Sequence, residues 1–198
     1  MDSLSRSLSK RSASVPTEPS YGEGRQSLVD AAIAVVAESG LRNLTYRSVA
    51  RRAGVSHALV AHHFGSRDSL LVAAVERALE RSLDEAPLED SGGLERWGQA
   101  LARSVATHPD LHAFQFEMAL EARRNPEFQP HVERLYEAYR SATRRALRRH
   151  GIDDPAMAQI AFAALDGLVF QQVVLGHESW TRDGVRALRR LLAHVVGV

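Results

Sequence analysis

Residues 45–71 carry helix-start residues and a glycine turn at short intervals, and this spacing restricts the fold more than any other feature. Thr45, Ser56 and Ser66 are residue types that cap helix N-termini with a side-chain oxygen. Gly54 lies between the first two caps, where a left-handed turn favours a residue without a Cβ atom. The pattern therefore predicts two short helices followed by a longer one, all joined by tight turns.

The predicted helices span Tyr46–Ala53, residues 57–63 and residues 67–84. Val55 is expected to fill the turn from the inside, and Leu59 or Val60 together with Phe64 should pack inward. Two short helices joined in this way form a helix-turn-helix, whose second helix presents its N-terminal residues to the major groove of DNA. The segment thus predicts a DNA-reading element.

Helical periodicity also covers the remaining residues from Arg25 onward. No segment alternates apolar and polar residues as a half-buried strand would, so the predicted fold class is all-α. Pro109, Pro126 and Pro155 are each expected in a first helical turn, where proline is tolerated. Apart from the first helix, which Gly40 closes, further helices are predicted at residues 94–107, 109–124, 126–150, 155–176 and 182–196.

Composition divides the chain into three parts. Residues 1–20 are rich in serine and contain two prolines, so they predict a disordered tail. Residues 21–84 form the predicted DNA-binding domain with its connecting helix, and residues 85–198 form a second predicted domain, which is also helical. A linker at residues 86–93 opens the second domain.

Composition also limits the location and the chemistry. The chain contains no cysteine, which removes disulfides and thiolate metal sites and suits a reducing cytoplasm. No apolar run approaches the ~20 residues that cross a bilayer, and the N-terminus lacks the apolar block of a signal peptide. A cytoplasmic protein without a membrane partner is therefore expected. Lys10 is the only lysine, and all other Lys/Arg positions are arginine. Either codon bias or a use of arginine in phosphate recognition would explain this preference.

The remaining motifs predict neither catalysis nor metal binding. The sequence contains no nucleophile elbow, P-loop or zinc-protease motif, so no catalytic residue and no cofactor is expected. His62 and His63 are adjacent on a helix and point about 100° apart, while His108 and His112 straddle a helix start, so no metal site is expected. Two alternatives stay open: an all-α enzyme or carrier, and a protein-interaction module that uses its helix-turn-helix for contacts.

Residues 25–71 resemble the DNA-binding domain of the tetracycline-repressor (TetR-type) family. The resemblance is carried by Thr45, by the Ala-Gly-Val-Ser run at residues 53–56, by the His-His-Phe run at residues 62–64 and by Arg67. It implies a repressor that a small molecule releases from double-stranded operator DNA. Ala61 stands where the family often has a phosphate-contacting tyrosine, and His57-Ala58 stands where a Lys-Gly pair is frequent.

The resemblance also implies roles for individual residues. Thr45 and Arg47 would contact phosphates, Arg67 would anchor a phosphate, and His57 would influence which bases are read. The full set of implied DNA contacts is Thr45, Tyr46, Arg47, Ser56, His57, Ala58, Leu59, His62, His63 and Arg67.

Two further sets lie in the helical half. A homodimer is expected because one short recognition helix gives little specificity without a second half-site, and the family pairs its last two helices. The predicted dimer contacts are Ala161, Leu165, Leu168, Val169, Leu188 and Leu192. Polar groups among aromatic residues suggest an effector pocket, and the predicted lining is Trp97, Phe114, Gln115, Met118, Tyr139, Phe162, Phe170 and Gln171.

Overall fold

The computed structural model describes residues 21–88 and 93–195, and within these ranges the chain forms nine α-helices and no β-strand. The all-α prediction is confirmed. The helices are α1 Tyr21–Ser39, α2 Tyr46–Ala53, α3 His57–Phe64, α4 Arg67–Glu85, α5 Leu101–Thr107, α6 Pro109–Ala122, α7 Gln129–Arg149, α8 Pro155–Leu175 and α9 Glu178–Val195.

The first four helices share one apolar core. Val36 of α1, Val49 of α2, Val60 of α3 and Leu70 of α4 are all fully buried in it. Since α2 and α3 are only eight residues long, they are stabilised by this packing rather than by intrinsic helix propensity. The same core continues into α6 and α7, so α1 and α4 rest directly on the second half of the chain.

The second core lies between α5, α7, α8 and α9. Trp97, Ala146, Leu147 and Ala161 are fully buried there. At one crossing Gly184 of α9 leaves no room for a side chain, because a Cβ atom would lie 2.5 Å from a methyl group of Leu168. This glycine allows α8 and α9 to approach closely.

Three predicted boundaries differ from the structure. Helix α7 begins at Gln129, and Pro130 rather than Pro126 lies in its first turn. Helix α9 begins at Glu178 instead of residue 182, and residues 94–107 form a short 3₁₀ turn, Leu94–Arg96, followed by the separate helix α5. The predicted disordered tail, residues 1–20, lies outside the described residues.

Helix α8 also corrects the expectation that no apolar run could span a bilayer. By length and composition alone Pro155–Leu175 is apolar enough to cross a membrane, with a mean hydropathy of 1.5. In the fold it packs against α6, α7 and α9, and only 33% of its most apolar window is buried. Helix α8 is thus a core helix on one face and carries exposed apolar residues on the other.

Candidate nucleic-acid interface and internal cavity

The start of α2 is fixed by a reciprocal pair of hydrogen bonds. The Ser48 amide donates to Thr45 Oγ1 at 3.0 Å, and the Thr45 amide donates to Ser48 Oγ at 2.9 Å. These bonds satisfy backbone donors that a helix start would otherwise leave open. The predicted capping role of Thr45 is confirmed, with Ser48 as its partner.

The turn between α2 and α3 is held by the backbone. Gly54 has a φ of 71°, in the left-handed region, and the Val55 amide donates to the Ala50 carbonyl at 3.0 Å. Ser56 then caps α3 by accepting from the Leu59 amide at 3.3 Å. Val55 is 38% exposed, so the prediction that it fills the turn is wrong: the backbone bonds close the turn without a side chain.

Helix α3 divides sharply into two faces. Val60 and Phe64 are buried, as predicted, whereas Leu59 is 36% exposed. The predicted groove-facing residues on the other face share exposure to solvent: Ser56, His57, Ala58, Leu59 and His62. Such an exposed face at the N-terminal end of a capped short helix has the geometry that major-groove reading requires.

Tyr46 and His63 are less accessible than the other predicted DNA contacts, since both are half-buried. The Tyr46 hydroxyl oxygen is buried and makes no hydrogen bond within the described residues. The His63 ring lies 5.9 Å from the ring of His62 and 6.2 Å from that of Phe64. Both side chains therefore belong in part to the packing of the domain.

Arg67 is directed toward the protein rather than away from it. Its Nη2 donates to the Leu41 carbonyl at 2.7 Å and its Nε donates to the Leu44 carbonyl at 3.1 Å. The side chain is half-buried. Because two of its nitrogen atoms are engaged, this geometry favours a clamp between α4 and the segment before α2 over the predicted phosphate anchor.

Other arginines surround the same surface. Arg47 is exposed and makes no ion pair or side-chain hydrogen bond within residues 21–88 and 93–195, so its five N–H donors are available to a phosphate. Arg25 lies over the Phe64 ring at 5.0 Å, and Arg52 pairs with Glu38 at 2.7 Å. Among these three arginines, only the guanidinium of Arg47 has no partner within the described residues.

An internal cavity of about 60 Å³ lies between α4, α6, α7 and α8. Of the predicted pocket residues, Gln115, Tyr139 and Phe162 line it. Trp97, Phe114 and Met118 are fully buried elsewhere in the two cores, and Phe170 and Gln171 are exposed on the outer side of α8. The complete lining is Ser82, Ala86, Leu88, Leu101, His112, Gln115, Phe116, Leu135, Tyr136, Tyr139, Phe162, Leu165, Asp166 and Val169.

Gln115 ties three helices together at the cavity wall. Its Nε2 donates to the Ala78 carbonyl at 3.1 Å and to Ser82 Oγ at 3.0 Å, both on α4. It also donates to the Tyr139 hydroxyl oxygen on α7 at 2.9 Å. A change in cavity shape would therefore reach α4 through this side chain.

Four titratable groups with shifted pKa values line the cavity, among them Tyr139, whose pKa is raised by burial. Burial lowers the pKa of His112 to about 4, so its ring is neutral near pH 7; its Nε2 lies 3.4 Å from Ser104 Oγ. Burial raises the pKa of Asp166. Burial, followed by the charge of Asp166, raises the pKa of Tyr136 to about 12. The sequence reasoning missed Tyr136 and Asp166, although Asp166 follows Phe162 by four residues, which places both on one helix face.

The predicted dimer contacts require correction. Four of the six are already buried inside this single chain: Ala161, Leu165, Val169 and Leu192. Leu168 and Leu188 are half-buried, and Leu168 packs on Gly184. The exposed apolar residues of α8 and α9 are instead Ile160, Phe170, Val174, Leu175, Trp180, Leu191 and Val195. Periodicity misassigned the faces because α8 is apolar around its whole circumference.

Two family models match the chain. The model described as "Bacterial regulatory proteins, tetR family" matches residues 28–74, and the model described as "Tetracyclin repressor-like, C-terminal domain" matches residues 93–198, which is more than half of the chain. The first match covers the helix-turn-helix, and the second covers α5 to α9, which include three of the four helices around the cavity.

Individual proteins agree with these matches. The HTH-type transcriptional regulator BetI of Agrobacterium fabrum is 32% identical over 152 residues, 73% of this chain and 74% of that protein. The BetI of Rhizobium meliloti is 44% identical, but the match spans only 31% of this chain and 30% of that protein.

Solved structures show the same arrangement. A member of the TetR family from Streptomyces coelicolor A3 is 27% identical, with a TM-score of 0.67 over 84% of this chain and 98% of that one. The multidrug binding protein EbrR, solved with malachite green, is 27% identical, with a TM-score of 0.62 over 88% of this chain and 98% of that one.

Proposed function

Because this chain belongs to the tetR family of bacterial regulatory proteins and is a DNA-binding transcriptional regulator, we propose that it is a homodimeric repressor which a small molecule releases from its operator. It acts in the cytoplasm, where bacterial operator DNA lies. The proposal is supported by two features of one chain: α3 has an exposed face, and a cavity lies against the C-terminal end of α4.

The α3 face would read bases, and the start of α2 would hold the DNA backbone. Ser56, His57 and Leu59 lie at the N-terminal end of α3, the end that enters the major groove in helix-turn-helix proteins. His57 can donate or accept a hydrogen bond at a base edge. Thr45 and Arg47 lie at the N-terminus of α2, where backbone amides and a free guanidinium favour a phosphate.

Dimerisation would use the exposed apolar surface of α8 and α9. Ile160 is 60% exposed, Val174 60% and Leu191 67%, and these large side chains lose contact with water only if a second copy covers them. An isologous pairing of two copies brings the same surface together twice. It also presents two recognition helices to two half-sites, which one eight-residue helix needs for specificity.

Release would depend on the size of the cavity. Its volume of about 60 Å³ is well below the ~300–1,000 Å³ of pockets that hold drug-sized ligands. A ligand must therefore displace the walls, among them Ser82 and Ala86 at the C-terminal end of α4. Tilting α4 would move the recognition helices away from the ~34–36 Å spacing of one DNA turn.

The DNA part of the proposal is tested with fluorescence anisotropy on fragments of the DNA upstream of the gene. Arg47→Ala should weaken binding to specific and random DNA alike and flatten the salt dependence by roughly one unit per lost contact. Arg103→Ala is the matched control, because Arg103 is an exposed arginine on α5, outside the helix-turn-helix. Equal affinities for the wild type and Arg47→Ala would refute the contact. Failure to bind any upstream fragment would favour a protein-interaction module.

A further inference from the structure

Asp166 is the only acidic side chain that lines the described cavity, and neither lysine nor arginine lines it. The carboxylate is half-buried, and within the described part of the chain no ion pair of 4 Å or less reaches it. A carboxylate that has lost part of its hydration without gaining a partner is destabilised in its charged form. The cavity thus holds a negative charge that nothing in its walls compensates.

Aromatic rings stand next to this carboxylate. Phe162 lies one helical turn before Asp166 on α8, and both line the cavity. The Tyr136 ring meets Phe162 edge-on at 5.9 Å, and the Tyr139 ring stacks on Phe162 at 6.2 Å with an interplanar angle of 18°. The faces of such rings carry negative electrostatic potential, which attracts cations.

The other titratable side chains of the wall do not supply a positive charge at neutral pH. His112 is neutral there, since burial lowers its pKa to about 4. Tyr136 and Tyr139 stay protonated and uncharged, since burial raises the pKa of each hydroxyl. Gln115 donates to Tyr139 and to α4 and is therefore already engaged. The missing positive charge must come from the occupant.

We propose that the effector is an amphipathic organic monocation, whose charge lies beside Asp166 and whose apolar body lies against Phe162, Tyr136 and Tyr139. This inference rests on the proposed function, since it names the ligand class of the same cavity. A cation restores the charge balance around Asp166 and adds attraction to the ring faces. An anion would meet the carboxylate, and a neutral apolar molecule would leave it unpaired.

The test compares probes of nearly equal shape and different charge on the full-length protein by isothermal titration calorimetry. One pair is phenyltrimethylammonium and the neutral tert-butylbenzene; the other is tetraphenylphosphonium and the anionic tetraphenylborate. The two pairs cover a small and a large apolar body. We expect at least one cation to bind on the order of tenfold or more tightly than its partner.

Three variants locate the charge that matters. Asp166→Asn should abolish the preference for the cation without weakening binding of the neutral probe, and Asp166→Glu should retain it. Glu127→Gln is the matched control, because it removes one negative charge from an exposed position that does not line the cavity. Operator affinity without ligand should be the same in the wild type and in Glu127→Gln, since Glu127 lies outside the cavity.

The possible results separate this inference from the proposed function. If neither cation binds more tightly than its partner, or if Asp166→Asn and Glu127→Gln weaken the cation equally, the assignment of Asp166 is wrong. If operator binding persists in either case, the proposed function as a regulator still stands, but the effector is not an organic cation bound beside Asp166. Loss of operator binding in the wild type would instead overturn the proposed function.

Discussion

Removing the Arg67 side chain separates a structural clamp from a phosphate anchor. Arg67→Ala deletes the donors to the Leu41 and Leu44 carbonyls, at 2.7 and 3.1 Å. A hydrogen bond from a charged donor contributes ~1.5–3 kcal/mol, so two give an upper range of ~3–6 kcal/mol. Because Arg67 is half-buried and water can replace part of this bonding, we expect the free energy of unfolding to fall by about 2–4 kcal/mol.

Thermal unfolding measures this loss directly. For a domain of this size each kcal/mol lowers the Tm by roughly 2–4 °C, so Arg67→Ala should unfold about 5–15 °C lower than the wild type. Arg67→Lys should lie between them, since an ammonium group keeps the charge but cannot span both carbonyls with one planar group. Arg47→Ala is the matched control: Arg47 is exposed and makes no ion pair or side-chain hydrogen bond within the described residues, so the Tm of this variant should not change.

DNA affinity gives the opposite pattern if the reasoning is correct. Measured well below the Tm, Arg67→Ala should retain the salt dependence of the wild type, whereas Arg47→Ala should flatten it. An unchanged Tm for Arg67→Ala together with a flatter salt dependence would refute the clamp and restore the phosphate anchor.

Three further changes test the other assignments. Leu191→Glu should weaken dimerisation at least about a hundredfold in sedimentation equilibrium, because burying an unpaired charge costs ~3 kcal/mol or more. The control Leu120→Glu changes an exposed apolar residue of α6 and should leave dimerisation unchanged. If Leu191→Glu dimerises as strongly as the wild type, this surface is not the dimer interface. Asp166→Asn should raise the Tm at pH 7 but not at a pH below the ordinary carboxyl pKa of 3.8. Burial raises the pKa of this carboxyl in the folded state, so its ionised form destabilises the fold as the pH rises. A Tm difference that is independent of pH would contradict this. Tyr46→Phe removes a buried hydroxyl that makes no hydrogen bond within the described residues, so the free energy of unfolding should rise by about 1 kcal/mol. DNA affinity should not change. Weaker DNA binding would support the DNA contact of Tyr46 that the sequence predicted.

The features that the sequence predicted well depend on neighbouring residues. The cap of Thr45 is completed by Ser48 and that of Ser56 by the Leu59 amide, each three residues away. The turn after α2 depends on the left-handed conformation of a single residue, Gly54, whose φ is 71°. Interactions of this range follow from residue type and order, so both short helices were placed with at most one residue of error.

The features that it missed depend on residues far apart in the chain. Arg67 bonds to carbonyls 23 and 26 residues earlier, which no local pattern encodes. In the cavity, Tyr136 and Asp166 meet only because α7 packs on α8. Trp97 and Phe114 have the composition expected of a pocket wall, yet they are fully buried in the two cores. Aromatic content alone does not distinguish a wall from a core.

The two ends of α4 are held by interactions of different kinds. At the N-terminal end, Leu70 and Leu71 are fully buried in the core that α4 shares with α1, so this end moves with the DNA-binding helices. At the C-terminal end, α4 makes polar contacts with α6 and with the residue before it: Gln115 with Ser82 at 3.0 Å, and His108 Nε2 at 3.4 Å from Glu85 Oε2.

A ligand could break polar contacts of this kind at a low cost in free energy. Each contributes only ~0.5–1.5 kcal/mol net, and water or the ligand can replace the lost partner. Breaking two of them costs about as much as the ~1–3 kcal/mol of a typical coupling free energy between two sites. Under the proposed mechanism, a binding free energy of this size would suffice to displace Ser82, and the apolar packing of Leu70 would transmit the tilt to α3.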